Sequence, residues 1–279
     1  MNKTLILIEC RDNVGLVAII SQILSKHDLN ITAMREFVDE AANRFFARIE
    51  CRGMVQSANQ LLDELQASLP LEAKVTINPK AEKTVALLVT KEYHCLADIL
   101  VRHSFNTLGA NVCCVAGNYD SLKTFAERFD IPFHYITHEN KSKEQFEQEL
   151  LAVVEPYEPD FIVLAKFMRI LSSQFVARFP NQIINIHHSF LPAFIGASPY
   201  RQAYERGVKV IGATAHFVTN DLDEGPIIVQ QTIPVNHTFG VSEMVIAGKE
   251  IEKSVLSKAL QLVFQDRVFV TGNKTIIFE

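Results

Sequence analysis

The sequence predicts an α/β protein of two domains: a ferredoxin-like βαββαβ domain over residues 1–80, then a Rossmann-like open, mostly parallel sheet over residues 84–279. Three observations predict it. Strand-like and helix-like stretches follow one another in the order βαββαβ as far as Ile77. From Val85 to Ile186 apolar runs alternate with helical spacing, the pattern of right-handed βαβ units. Between the two regions Asn78-Pro79-Lys80-Ala81-Glu82 is polar and carries a proline, the composition of a domain boundary.

The elements follow in order. Thr4 to Glu9 reads as a strand, and Leu16, Ile19, Ile20, Ile23 and Leu24 recur at helical spacing, with Asp12 at the helix N-cap region. Ile31 to Val38 and Arg44 to Cys51 form two strands around an Asp39-Glu40 turn; the second places Phe45, Ala47, Ile49 and Cys51 on one face. A helix near Ser57 to Leu69 and a strand at Lys74 to Ile77 complete the first domain. In the second, the strands are Val85 to Val89, Asn111 to Ala116, Phe133 to Ile136, Phe161 to Ala165 and Ile183 to Ile186. Ser142 and Gln145 make a capping box ahead of one intervening helix. Val210 to Val218, Ile227 to Val235, a long helix from Val241 to Phe264 and a hairpin at Gly272-Asn273 follow, so the sheet is expected to become mixed at this end.

Composition removes several functions. The chain of 279 residues carries a net charge of -5 with its basic residues dispersed, so no basic stripe awaits a nucleic acid. No apolar run is long enough for a membrane span or a secretory segment. The five cysteines have no CxxC spacing, which suggests neither a disulfide framework nor a zinc site. A cytoplasmic chain is expected, with most thiols acting as small buried hydrophobes. Neither GxGxxG nor GxxxxGK[ST] occurs, so no dinucleotide or P-loop triphosphate is expected.

The chemistry is expected at the carboxyl ends of the parallel strands, where the strand order reverses. In NIHHSF, strand alternation sends Asn185 and His187 to one side and His188 to the other. An amide that donates without titrating can polarise a carbonyl, and an imidazole can pass protons, so the pair suits attack on a formyl or other carbonyl carbon. Further on, HFVTNDLDEGP follows a strand and contains Asp221, Asp223 and Glu224. On composition alone these acids read as a solvated turn; beside the Asn185-His187 pair they also offer the anion that would orient the imidazole.

These segments resemble a known family. NIHHSFLP resembles the NIH-x-S-x-LP motif of formyltransferases that use 10-formyltetrahydrofolate, and HFVTNDLDEGPIIVQ resembles their second signature. LAKFMRIL, Leu164 to Leu171, resembles their folate-pocket segment. The resemblance implies catalytic roles for Asn185, His187 and Asp223, with either His187 or Asp223 as the base, and His216 supports the loop. It implies a folate pocket lined by Met168, Arg169, Ile170 and Leu171 and by Thr219, Asn220, Asp221 and Leu222. No metal and no cofactor beyond the folate substrate are implied.

The acceptor decides between relatives. Transferases acting on glycinamide ribonucleotide have a Gly-rich loop after their first strand, whereas VTKEYHCL here has no glycine to build a phosphate nest. That stretch resembles the KE-x-HCL segment of the formyltetrahydrofolate deformylase family, which passes the formyl group to water and carries an N-terminal ACT domain. The resemblance to ACT domains rests on Asp12-Asn13-Val14-Gly15-Leu16 and Asn30-Ile31. It implies an amino-acid site at Asp12, Asn13, Gly15, Leu16, Asn30 and Ile31, with glycine and methionine as effectors, and a homo-oligomer. The implied role is to balance the one-carbon folate pool and supply formate for purine synthesis. Where Ser198 stands the family pattern is usually basic, with Arg201 nearby, and Leu191-Pro192 is a site where related enzymes hold a cis bond. Transfer of the formyl group to an amine and a non-catalytic amino-acid-sensing protein are the competing readings.

Overall fold

The computed structural model describes residues 3–193 and 199–279, so Ser198 lies outside the described residues. The chain forms two compact units, one of Met1–Ala81 with Asp266–Phe269 and Ile276–Glu279, the other of Glu82–Gln265 with Val270–Thr275.

In the first unit β1 (Lys3–Arg11), α1 (Leu16–Lys26), β2 (Asn30–Asp39), β3 (Arg44–Arg52), α2 (Ala58–Ser68) and β4 (Lys74–Ile77) make a sheet of order β2-β3-β1-β4 with every pair antiparallel. Period-2 burial builds it: Ile6, Ile8 and Cys10 of β1 and Phe45, Ala47, Ile49 and Cys51 of β3 enter one core with Leu16, Ile20 and Leu24 of α1 and Leu61 and Leu65 of α2. Ser57 caps α2 by accepting from the Gln60 amide. The expected cap of α1 is different. Gly15, not Asp12, holds that position at φ 91°, and as glycine it has no side chain with which to cap the helix.

Phe46, on the opposite face of β3, is also fully buried. Its ring meets Phe269 edge-on at 5.7 Å, and Phe269 in turn meets Phe278 at 5.6 Å. These partners correct the expected boundary: the C-terminal hairpin of β12 (Val268–Thr271) and β13 (Lys274–Ile277) was assigned wholly to the second domain, yet its outer segments belong to the first unit.

The second unit holds a seven-stranded sheet: β5 (Lys83–Val89), β6 (Ala110–Gly117), β7 (Phe133–Tyr135), β8 (Phe161–Leu164), β9 (Ile183–His187), β10 (Val210–Phe217) and β11 (Ile227–Pro234), in the order β11-β10-β9-β8-β5-β6-β7. The five strands from β9 to β7 are parallel, and β10 is antiparallel to both neighbours, as expected of a mixed end. Strands covered on both faces read as unbroken apolar runs, and Val85 to Val89 are all buried. The helices are α3 (His94–Ser104), α4 (Lys123–Glu127), α5 (Lys143–Val154), α6 (Ser173–Arg178), α7 (Pro199–Arg206) and α8 (Val241–Phe264). The capping box at Ser142 and Gln145 is formed in both directions. From β5 the chain builds outward to β7 and then returns to add β8 beside β5, so the order reverses between β5 and β8. Among the described residues no helix is long and apolar enough to cross a membrane.

Phe46→Ala is expected to lower the unfolding free energy of the first unit by about 3 kcal/mol in urea titration, since it empties a ring site between β3 and Phe269. Phe37→Ala, at a ring 45% exposed, is expected to cost less than about 1 kcal/mol.

Candidate active site

A cavity of about 470 Å³ opens at the carboxyl ends of β8 and β9 and at the loop after β10. Each sequence-derived folate-pocket residue, Met168 to Leu171 and Thr219 to Leu222, lines it, together with Asn185, His187 and Asp223.

The segment after β8 is tied at both ends. Thr90 accepts from the Met168 amide at 2.9 Å, and the buried Glu147 accepts from the Ser172 amide at 2.7 Å and from the Ser172 hydroxyl. Between the ties Arg169 lies over the Phe146 ring at 5.1 Å, while Met168 and Ile170 stay 59% and 61% exposed at the rim with Leu222. An exposed apolar rim above polar groups suits a flat, partly apolar ligand.

The segment after β9 is tied by Thr214, which is fully buried, donates to the Ser189 carbonyl and accepts from the Leu191 amide. Gln230 donates to Leu191 O and to Thr214. The Leu191-Pro192 bond is cis. Because β9 ends at His187, strand alternation ends there as well. His188 therefore does not point away as the sequence implied; it stacks on His187 with ring centroids 5.1 Å apart and lines the same cavity. Arg201 stands exposed on α7 and does not line the cavity.

The loop after β10 turns back over the strand ends. Phe217 donates its amide to Pro226 O, and a Cβ on Gly225 would overlap the Phe217 carbonyl oxygen, so only glycine permits this return. Of the loop's acids, Asp221 and Glu224 are exposed, as the solvated-turn reading has it, and Asp223 alone turns inward, at φ 57°. Left-handed backbone is tolerated by aspartate at modest cost.

Register brings the polar groups together. Antiparallel pairing sets His216 opposite Asn185 and Thr214 opposite His187. His216 donates Nδ1–H to Phe217 O at 2.9 Å, which leaves Nε2 to accept from Asn185 Nδ2 at 3.2 Å. That bond orients the Asn185 amide and leaves its second N–H for a ligand. His187 Nδ1 is 3.3 Å from Asp223 Oδ2, and Asp223 Oδ1 stands 3.7 Å from His216 Nε2. Burial works against the Asp223 charge, but the hydrogen bond from His187 outweighs it and holds the carboxyl far below the usual range. His187 Nε2 is buried and has no hydrogen-bond partner. An imidazole held by a carboxylate at one nitrogen, with the other left unpaired, suits proton exchange.

The sequence missed Lys166 and His188 as cavity residues. It also missed the partners behind them, His94, Tyr200 and Glu252. A signal for Glu252 existed: it sits on the stripe Met244, Gly248, Leu256 of a helix whose other members there are buried. His94, Cys95 and Glu252 present ligand atoms within 4.8 Å of one another, a proximity that the sequence spacing did not suggest. They suit a metal poorly. Lys166 Nζ already stands 3.1 Å from the Glu252 carboxylate, and burial pushes the Cys95 thiol far up, away from the ligating thiolate.

The proposed effector residues are not brought together within one chain. Asp12 follows Arg11, which pairs with Arg44 at one end of the first sheet; Asn30 pairs with Arg52, and Arg52 with Lys3, at the other. Eight residue steps of β1 separate the two ends, roughly 25 Å.

Burial, with the charges of Lys166 and His187 adding to it, pushes His188 down from 6.5 to about 4. A folded-state value below the unfolded one means the unfolded chain binds the proton first, so stability falls as pH drops from 6.5 to about 4. His188→Gln is expected to flatten that fall by on the order of 3 kcal/mol, measured as urea midpoints across the interval.

Residues 83–260 match the formyl transferase family. The formyltetrahydrofolate deformylase of Escherichia coli strain K12 is 51% identical over 268 residues, covering 96% of this chain and 95% of that protein. That of Haemophilus influenzae strain Rd is 50% identical over 277 residues and 99% of each chain. The crystal structure of a formyltetrahydrofolate deformylase from Pseudomonas syringae pv. tomato superposes with a TM-score of 0.93 at 37% identity, covering 99% of this chain and 94% of that one. Likeness of this extent spans both units as well as the cavity and its Asn185, His187 and Asp223 cluster, and places the chain in the formyltetrahydrofolate deformylase family.

Proposed function

We propose that the chain hydrolyses 10-formyltetrahydrofolate to tetrahydrofolate and formate, with Asn185, His187 and Asp223 as the reacting groups. The observation that carries the assignment of residues is that His187 lines the cavity with Asn185 and Asp223, its Nδ1 3.3 Å from the Asp223 carboxylate and its buried Nε2 left without a partner. The pterin lies between the Met168–Leu171 and Thr219–Leu222 segments, which bring the apolar edges of Met168, Ile170 and Leu222. The spare N–H of Asn185 polarises the formyl oxygen and holds the charge that develops on it. His187 takes the proton of the attacking water at Nε2 and returns it to N10 as the C–N10 bond breaks. The depressed acidity range of Asp223 makes it a weak base, so its role is to orient His187 and balance the imidazolium charge.

No cofactor beyond the folate is needed for this proton chemistry. The formate released serves purine synthesis and the balance of the one-carbon folate pool.

The first unit is read as an ACT-type regulatory domain that senses glycine or methionine. The separation of Asp12, Asn13, Gly15 and Leu16 from Asn30 and Ile31 along the sheet supports one specific arrangement. Two copies of the chain, side by side, supply one half-site each, which makes the enzyme a homo-oligomer.

Formate release without any amine is expected for the wild type, with losses of about 10³-fold or more in Asp223→Asn and about 10²-fold in Asn185→Ala, mainly in kcat. Gly225→Ala is expected to match the loss in Asp223→Asn while the chain stays folded by circular dichroism. Glycine or methionine is expected to shift both the melting temperature and the turnover, and to do so less at protein concentrations low enough to dissociate the oligomer. Unchanged turnover and melting with both amino acids would remove the sensing role.

A further inference from the structure

Behind the cavity lies a buried ionic cluster with no part in the proton chemistry. Glu252 of α8 is 1% exposed. Its Oε2 stands 2.7 Å from His94 Nε2 and 3.1 Å from Lys166 Nζ, and Tyr200 donates its hydroxyl to Oε1 at 2.7 Å. Burial opposes the charge, but the His94 hydrogen bond, the Lys166 charge and the Tyr200 hydrogen bond outweigh it and hold the carboxyl down to about 2. Buried ion pairs add little net stability compared with apolar packing, so such a cluster is better understood by what it fixes in place.

It fixes one wall of the site. A Cβ on Gly248 would overlap the Tyr200 ring, so α8 leaves a groove that seats the ring with its hydroxyl at Glu252, one turn further on. The ring then tilts against His188 at 6.4 Å, and His188 stacks on His187. Lys166, held by Glu252, has left-handed backbone at φ 65°, a conformation lysine rarely adopts, and it lines the cavity beside His188. Lys166 and His188 thus line the same cavity as Asn185 and His187.

We propose that Glu252 is a specificity-determining positioning residue, which holds Lys166 and Tyr200 behind His188 so that the wall excludes amines and leaves water as the acceptor. The inference rests on the hydrolase reading above. In hydrolysis the water oxygen bonds to the formyl carbon, the C–N10 bond breaks, one water proton passes through His187 to N10, and the acid formed ionises to formate. With an amine in place of water, the amine nitrogen bonds to the same carbon, its proton goes to N10, and an N-formyl amide leaves. Only the shape of the wall selects between them.

The test follows both products, formate and N-formylglycinamide, from 10-formyltetrahydrofolate with excess glycinamide as the probe amine. The wild type is expected to give formate alone, at a rate that glycinamide does not change. Glu252→Ala and Tyr200→Ala are expected to raise the amide-to-formate ratio by about tenfold or more, increasing with amine concentration. Tyr200→Phe, which keeps the ring over Gly248 but removes its bond to Glu252, is expected to fall between the wild type and Tyr200→Ala. Partition is the readout because a general loss of packing lowers both products together. If Glu252→Ala does not fold, Tyr200→Ala carries the test, since it leaves the ion pairs of Glu252 in place. Formate alone from a folded Tyr200→Ala overturns the inference and leaves the hydrolase reading standing. A wild type that releases formate only when an amine is present overturns the hydrolase reading, and the inference with it.

Discussion

Antiparallel pairing of β9 with β10 is the constraint on which the site depends. It sets His216 opposite Asn185 and Thr214 opposite His187. From the first pair comes the orientation of the Asn185 amide; from the second comes the anchor that holds the chain after β9. A slip of one residue would send each of these side chains to the other face. The return of the β10 loop over Gly225 then adds Asp223 to an arrangement already specified by two strands. Strand register and one close backbone approach thus decide where Asn185, His187 and Asp223 stand.

Much of this was legible in the sequence because the signals were local. Period-2 burial in β1 and β3, the capping box at Ser142 and the apolar runs of the parallel strands depend on neighbours within a few residues. The motif residues Asn185, His187 and Asp223 meet because each ends or follows a strand of one sheet. What was hidden depends on partners distant in the chain. Phe46 looks like a solvent-side residue of β3 until Phe269 covers it. His188 obeys strand alternation on paper and escapes it because the strand stops one residue earlier. Glu252 reads as a polar interruption of a helix until His94, Lys166 and Tyr200 converge on it from three other segments.

The two segments that resemble an ACT ligand loop show the same limit from another side. Asp12-Asn13-Val14-Gly15-Leu16 and Asn30-Ile31 are close in sequence, separated only by the length of α1 and a turn. A helix that runs antiparallel to its sheet carries the chain from one end to the other. Nearness along the chain and nearness in space are opposed here.

Met168, Ile170 and Leu222 form an exposed apolar rim of the cavity. A substrate seated on that rim would bind the folded chain and not the unfolded one, and by mass action a ligand at a hundred times its dissociation constant adds about 2.7 kcal/mol to the folding free energy. Fewer molecules then open far enough for a protease to cut. The persistence of the enzyme in a cell therefore rises with the supply of the compound it consumes, a form of abundance control that needs no second site and no effector.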